Sequence, residues 1–257
     1  MRFDGKTVLL SGAAGGFGSR AAEVFSERGA LLVLSDLDGD ALQAVAEAMP
    51  GDVVWLAGDV RDPASHDALV DLALSKYGRL DIAVNNAGIV CPMQRIPETD
   101  PALARQVIDV DLMGVFYALQ AQLPVMSARF AEEGTPAAIV NIASAAGLVG
   151  SPFLGIYAAA KHGVIGLTRS AAAEYGRKGV RINAVCPSFA NTAMLTDYLD
   201  AAPAGREAAE TALTRGIPMG RIGQVDEVVQ AILFAAHADN SFMTGETLSV
   251  DGGLAAV

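Results

Sequence analysis

Seven short apolar runs recur along the 257-residue chain, and longer stretches of helical periodicity separate nearly all of them. The runs are TVLLSG, LLVLSD, VVWLAGDV, LDIAVNNAG, AAIVNIAS, VRINAVCP and TLSVDGG. The central ones are apolar at consecutive positions, which predicts strands covered on both faces, as in a parallel sheet between two helical layers. Helices are expected at about 17–28, 39–48, 63–77, 101–130, 155–177 and 225–238. Asp100-Pro101 supplies an N-cap and a first helical residue, whereas Pro124 predicts a kink in the helix that contains it. This alternation implies an α/β fold with a doubly wound parallel sheet and right-handed crossovers. No Gly/Ser linker, repeat or low-complexity tract divides the chain, so residues 1–257 read as one domain. Segment 192–220 breaks the rhythm: it lacks a strand pattern and carries Met194, Leu195, Tyr198 and Leu199. An excursion of that length in a compact domain predicts a lid.

Composition narrows the setting. Hydrophobic residues make up 52% of the chain, yet no uninterrupted run approaches the ~18 residues of a membrane span. The opening MRFDGKTVLLSG is broken by Asp4 and Lys6 and lacks a signal-peptide core, so a soluble, cytoplasmic protein is expected. The net charge of −11 argues against nucleic-acid or anionic membrane partners. Cys91 and Cys186 are too few for a disulfide framework and suit a reducing compartment. His66, His162 and His237 show no ligand spacing, so no metal is expected. The 155–177 helix is apolar or small around most of its girth and needs cover on two sides. The excess apolar content therefore predicts burial between subunits.

The first strand runs straight into SGAAGGFGSRAAEVF. Gly16, Gly18 and Ala21 fit the G-x-G-x-x-G/A pattern of a Rossmann-type dinucleotide fold, and Gly12 adds a tight turn ahead of it. Backbone without Cβ lets a pyrophosphate reach the N–H groups of a helix start. No Gly-Lys-Ser/Thr follows, so a Walker loop is excluded. The second strand ends in Asp36, twenty residues past Gly16, where an acid accepts from adenosine ribose hydroxyls and repels a 2′-phosphate. NAD is therefore expected over NADP, with Arg20 the one nearby cation able to soften the preference.

With these pieces placed, the chain resembles the short-chain dehydrogenase/reductase family over nearly its whole length. Ser11-Gly12 through Gly18 is similar to the family's TGxxxGxG, with Ser for Thr and Phe17 where Ile is usual. Asp59-Val60 resembles the pair flanking the adenine, and Asn85-Asn86-Ala87-Gly88 the NNAG that steadies the sheet beside the cofactor. Ser144 precedes Tyr157 by thirteen positions, and Tyr157-x-x-x-Lys161 follows at once. Pro187 and Thr192 fit the nicotinamide-side segment, and DGG at 251–253 closes the chain in the family manner. The resemblance implies a cofactor site of Gly12, Gly16, Phe17, Gly18, Asp36, Asp59, Val60, Asn86, Tyr157, Lys161, Pro187 and Thr192. It also implies a homodimer or homotetramer paired through the 101–130 and 155–177 helices.

Tyr157 and Lys161 stand one helical turn apart on a shared face. A phenol is almost wholly protonated at neutral pH, its reference value being near 10. A cation ~4 Å away at an effective dielectric near 20 favours the anion by about 4 kcal/mol, enough for ~3 pH units. Tyr157 is thus expected to act as general acid/base, with Ser144 holding the substrate oxygen. Two positions depart from the family. Asp111 replaces an Asn that distorts the long helix and holds a water leading from the lysine to solvent. As a fourth candidate catalytic residue, it adds a negative charge that predicts an alkaline optimum, lowered in Asp111→Asn. Ser188 replaces a glycine, with backbone strain expected if that position needs positive φ.

The expected substrate pocket draws on Pro92-Met93, on Ala145 to Val149 and on the 192–220 lid. Met93, Ala145, Leu148, Val149, Met194, Leu195 and Leu199 make it apolar, and no arginine is placed to clamp a carboxylate. A hydrophobic secondary alcohol or ketone, alicyclic or steroid-like, is expected. Acyl carrier protein reductases share the family's fold, but Asp36 and the acidic balance count against them. The rival reading is a non-catalytic NAD(H) sensor or scaffold, favoured by Asp111 and Ser188 and opposed by Ser144, Tyr157 and Lys161. A dehydratase or epimerase lacks the enlarged C-terminal substrate domain it would need.

Overall fold

The computed structural model describes residues 1–200, 202 and 205–257, with the Met194 side chain outside the description. Seven strands form one parallel sheet: β1 Thr7–Ser11, β2 Leu31–Ser35, β3 Val53–Trp55, β4 Ile82–Asn85, β5 Ala137–Ile142, β6 Val180–Pro187 and β7 Thr247–Val250. Their order is β3-β2-β1-β4-β5-β6-β7, so the winding direction reverses between β1 and β4. Each of the seven apolar runs contains one strand. In β1, Val8 and Leu10 face one helical layer and Leu9 faces the other, as the period of two requires.

The helices are α1 Gly16–Glu27, α2 Gly39–Glu47, α3 Pro63–Tyr77, α4 Pro101–Ile108, α5 Gly114–Glu133, α6 Gly155–Tyr175, α7 Ala193–Asp200, α8 Arg206–Thr214 and α9 Val225–Ala236. Helices α1 and α9 cover one face, burying Phe25, Ile232 and Leu233 against Val8, Leu10, Leu32 and Leu34. Helices α3, α5 and α6 cover the other, with Leu69, Leu119, Met126 and Val164 against Leu9 and Val33. Each such side chain contributes about 1.5–3 kcal/mol by leaving water. No described helix is long and apolar enough to cross a membrane.

Local signals account for the boundaries. Asp38, Asp62 and Asp100 cap α2, α3 and α4 by accepting from backbone N–H groups, and Pro63 and Pro101 open their helices. The long helix expected over 101–130 is interrupted around Asp111, the position that the resemblance marks as distorted. Helical structure runs on through Pro124, while Asp109–Met113 forms a π turn between α4 and α5. The segment 192–220 holds two short helices, α7 and α8; Ala201, Pro203 and Ala204, which the lid expectation includes, lie outside the described residues.

Candidate active site

The reversal between β1 and β4 leaves a crevice at the carboxyl ends of the strands. A cleft of about 730 Å³ opens there. Its floor is the turn after β1. Gly12 has φ +66°, and a Cβ on it would lie 2.8 Å from Ala87 Cα. Gly18 does not line the cleft: it packs beneath the turn, where a Cβ would fall 1.9 Å from Gly12 O. Its contribution here is to let helix and turn touch. The remaining predicted cofactor residues all line the cleft: Gly12, Gly16, Phe17, Asp36, Asp59, Val60, Asn86, Tyr157, Lys161, Pro187 and Thr192.

Helix α1 differs from its neighbours at its start. Its N-cap is Gly15, with no side-chain cap and no acid in the first turn, whereas Asp residues cap α2, α3 and α4. Its free N–H groups and positive dipole end suit a dinucleotide pyrophosphate. Asp36 Oδ2 accepts from Ala14 N–H at 2.9 Å, and Oδ1 accepts from Asp38 N–H at 3.3 Å. The carboxylate is thus fixed beside the glycine turn, as a ribose-binding acid must be. Arg20 is committed elsewhere, to Glu23 at 2.7 Å and Asp226 at 2.6 Å, and does not line the cleft. Arg61, which the sequence reading missed, does line it and pairs with Asp59 at 2.5 Å. Hydrogen bonding from Arg61 holds the Asp59 carboxyl below its ordinary value.

Deeper in, α6 brings Tyr157 and Lys161 to the cleft wall. Lys161 Nζ lies 5.5 Å from the Tyr157 ring centroid, donates to Ile142 O at 3.2 Å and pairs with Asp111 Oδ2 at 3.1 Å. Burial opposes the ammonium, but Asp111 and then Tyr157 outweigh it and hold Lys161 above the ordinary lysine value. Ser144 begins the short turn after β5, where its Oγ accepts from Ala146 N–H at 3.1 Å and donates to Pro187 O at 3.4 Å. That turn lies directly on α6, since a Cβ on Gly147 would sit 2.8 Å from Lys161 O. Ser144, Tyr157, Lys161 and Asp111 therefore share one cleft.

Behind the wall runs a buried polar network that the sequence reading found only in part. Asn85 donates to Asn141 Oδ1 at 2.8 Å and receives from Gln122 at 2.8 Å; Asn141 donates to Thr168 Oγ1 at 2.9 Å. Asn86 donates to Ser11 O and Gly12 O at 3.1 and 2.9 Å, tying β4 to the glycine turn. Asn85 and Asn86 were legible from their motif. Gln122, Asn141 and Thr168 were not, although a lone Asn inside the apolar run AAIVNIAS is a signal, because a buried amide needs partners.

On the substrate side, Met93, Ala145 and Leu195 line the cleft as expected, while Pro92, Leu148, Val149 and Leu199 do not. Leu199 is buried, and Met194 lies outside the described side chains. Ile89, Val90, Cys91, Leu154, Phe189, Tyr198 and Leu254 join instead. Tyr198 from α7 reaches Met93 Sδ at 3.3 Å across the mouth. Among the described residues, the only cations lining the cleft are Arg61 and Lys161, and each is already paired with a carboxylate. Ser188 lines the cleft without positive φ, so the strain considered for it is absent. His162 lies on the outward face of α6, off the catalytic side, with Nδ1 2.9 Å from Ala158 O.

Known proteins share the fold and the family of this chain. The family described as enoyl-(acyl carrier protein) reductase matches residues 12–255. A 3-oxoacyl-[acyl-carrier-protein] reductase of Thermotoga maritima is 39% identical, with 99% of each chain covered. Cyclohexanol dehydrogenase of Acinetobacter sp. (strain SE19) is 36% identical over 98% of this chain and 95% of that one. The crystal structure of levodione reductase superimposes with a TM-score of 0.93 at 33% identity, all of both chains covered. Strand order, cleft and likeness together place the chain in the short-chain dehydrogenase/reductase family of oxidoreductases.

Proposed function

We propose that the protein is an NAD-dependent dehydrogenase that interconverts a neutral, hydrophobic, alicyclic secondary alcohol and its ketone. The observation that carries this reading is a single cleft in which Tyr157, Lys161 and Ser144 stand beside a dinucleotide-type glycine turn edged by Asp36. Bound nicotinamide would take up the hydride from the alcohol carbon during oxidation and return it during reduction. Tyr157 removes the alcohol proton and restores it in the reverse direction. Lys161, held by Ile142 O and Asp111, keeps a positive charge beside the phenol. Ser144 Oγ donates to the substrate oxygen as charge develops there.

Support for the substrate class comes from the lining. An apolar wall whose only cations, among the described residues, are already paired gives a carboxylate or phosphate no free partner there. NAD is preferred because the fixed Asp36 carboxylate repels a 2′-phosphate and Arg20 is turned away. The 192–220 segment closes the mouth as a lid within a single domain, through the Tyr198–Met93 contact. The outward face of α6, with Ala159, Gly166 and Ala173 exposed, suits a second copy of the chain in a homodimer or homotetramer. Two buried, unpaired thiols suit the cytoplasm.

The likeness to a 3-oxoacyl reductase supports a second reading, reduction of a 3-oxoacyl thioester. An acetoacetyl thioester with NADPH or NADH distinguishes the two. Replacing Tyr157 with Phe tests the mechanism shared by both. Turnover is expected to fall at least about a hundredfold while NADH binding, read by fluorescence, stays intact. A variant that keeps a tenth of the activity would remove Tyr157 from its role.

A further inference from the structure

We propose that Asp111 is a positioning residue that anchors and neutralises the Lys161 ammonium, and so sets the pH range in which Tyr157 exchanges its proton. The proposal rests on the reading of Tyr157 as the proton-transfer group. Asp111 occupies the middle of the π turn Asp109–Met113 and is fully buried. Its Oδ1 accepts from Ile89 N–H at 2.8 Å. Its Oδ2 lies 3.1 Å from Lys161 Nζ and has no other partner among the described residues. The carboxylate is thus aimed at the ammonium by the backbone on one side and by the turn on the other.

The titratable groups facing the ammonium are few. Asp111 comes from the π turn, Tyr157 from the preceding turn of α6 and Cys186 from β6. Burial pushes the Cys186 thiol up to about 11, so it stays neutral; Asp251 and Arg169 act on that thiol with opposite signs. The charge balance around Lys161 is therefore settled between Asp111 and Tyr157. A buried ammonium requires a counter-charge. With Asp111 present, its carboxylate supplies that counter-charge. With an amide in its place, the phenolate becomes the counter-ion that the ammonium selects.

The test needs no substrate, so its failure is distinguishable from failure of the dehydrogenase reading. The near-ultraviolet phenolate absorbance is titrated for the parent protein and for Asp111→Asn, each against its own Tyr157→Phe derivative. The Tyr157 phenolate is expected at least about one pH unit lower in Asp111→Asn, a tenfold change in the phenolate-to-phenol ratio. Coincident curves from two folded proteins, or an upward shift, would overturn the proposal. If Asp111→Asn does not fold, thermal melts of Lys161→Met and of Lys161→Met with Asp111→Asn decide the coupling. Lys161→Met alone leaves a buried carboxylate without its ammonium, so the double variant is expected to melt higher. A double variant no more stable than Lys161→Met would overturn it equally.

Discussion

Asp36 spends both carboxylate oxygens on backbone N–H groups of its surroundings, which fixes its direction rather than its charge. In the proposed NAD site, a ribose hydroxyl arriving at the glycine turn would meet a preoriented acceptor, and a 2′-phosphate would meet a carboxylate. Asp36→Ala is expected to lower kcat/KM with NAD by tenfold to a hundredfold, the worth of about 1.5–3 kcal/mol for a charge-assisted hydrogen bond. NADP should gain relative to NAD in the same steady-state comparison. An unchanged ratio would show that Asp36 does not choose the cofactor. At this scale the sequence is informative wherever chemistry is local: the i, i+4 spacing of Tyr157 and Lys161 and the glycine spacing were legible directly. Asp111 was legible as a charge at a distorted point of the long helix, but Ile89, whose N–H helps to aim it, was not. Gln122, Asn141 and Thr168 meet only through contacts far apart in sequence.

Elements are fastened at their ends by a few buried charges, of which Asp81 is the clearest. It accepts from Thr7 N–H at 2.9 Å and pairs with Arg79 and Arg129 at 2.5 and 2.9 Å, joining β1, β4 and α5. Burial raises the cost of its charge, yet the Arg79, Thr7 and Arg129 hydrogen bonds together hold the carboxyl below its ordinary value. A depressed carboxyl stabilises the fold above the unfolded value of about 4 and loses that contribution as pH falls through the folded one. Asp81→Asn should therefore cost about 2 kcal/mol at neutral pH, and the gap to the parent should shrink below about pH 4. Thermal melts at pH 7 and pH 3 check this; an equal gap at both would mean the charge is not responsible. The Asp100 cap acts within three residues and was read from the chain; Asp38 and Asp62 cap their helices in the same local way. The break in the long helix follows not from Pro124, through which helical structure continues, but from Asp111, the position that the family resemblance marks as distorted and where the π turn Asp109–Met113 falls, beside the lysine.

For the whole molecule, the seven apolar runs revealed a parallel sheet but not its order, since adjacency depends on which crossovers pass over which face. That order matters most, because the reversal between β1 and β4 creates the cleft. The absence of a strand pattern likewise marked segment 192–220 but did not reveal its two helices, Ala193–Asp200 and Arg206–Thr214. Light scattering at micromolar concentration is expected to give a dimer or tetramer; a monomer would leave the outward face of α6 unexplained. The account as a whole is tested most directly by NADH formation from NAD⁺ at alkaline pH on a panel running from cyclohexanol to hydroxysteroids. A rate with at least one of these alcohols, ordered by ring size, is predicted. Silence across the panel, with tight NADH binding demonstrated by fluorescence, would contradict the proposed dehydrogenase and favour a cofactor-binding protein without turnover.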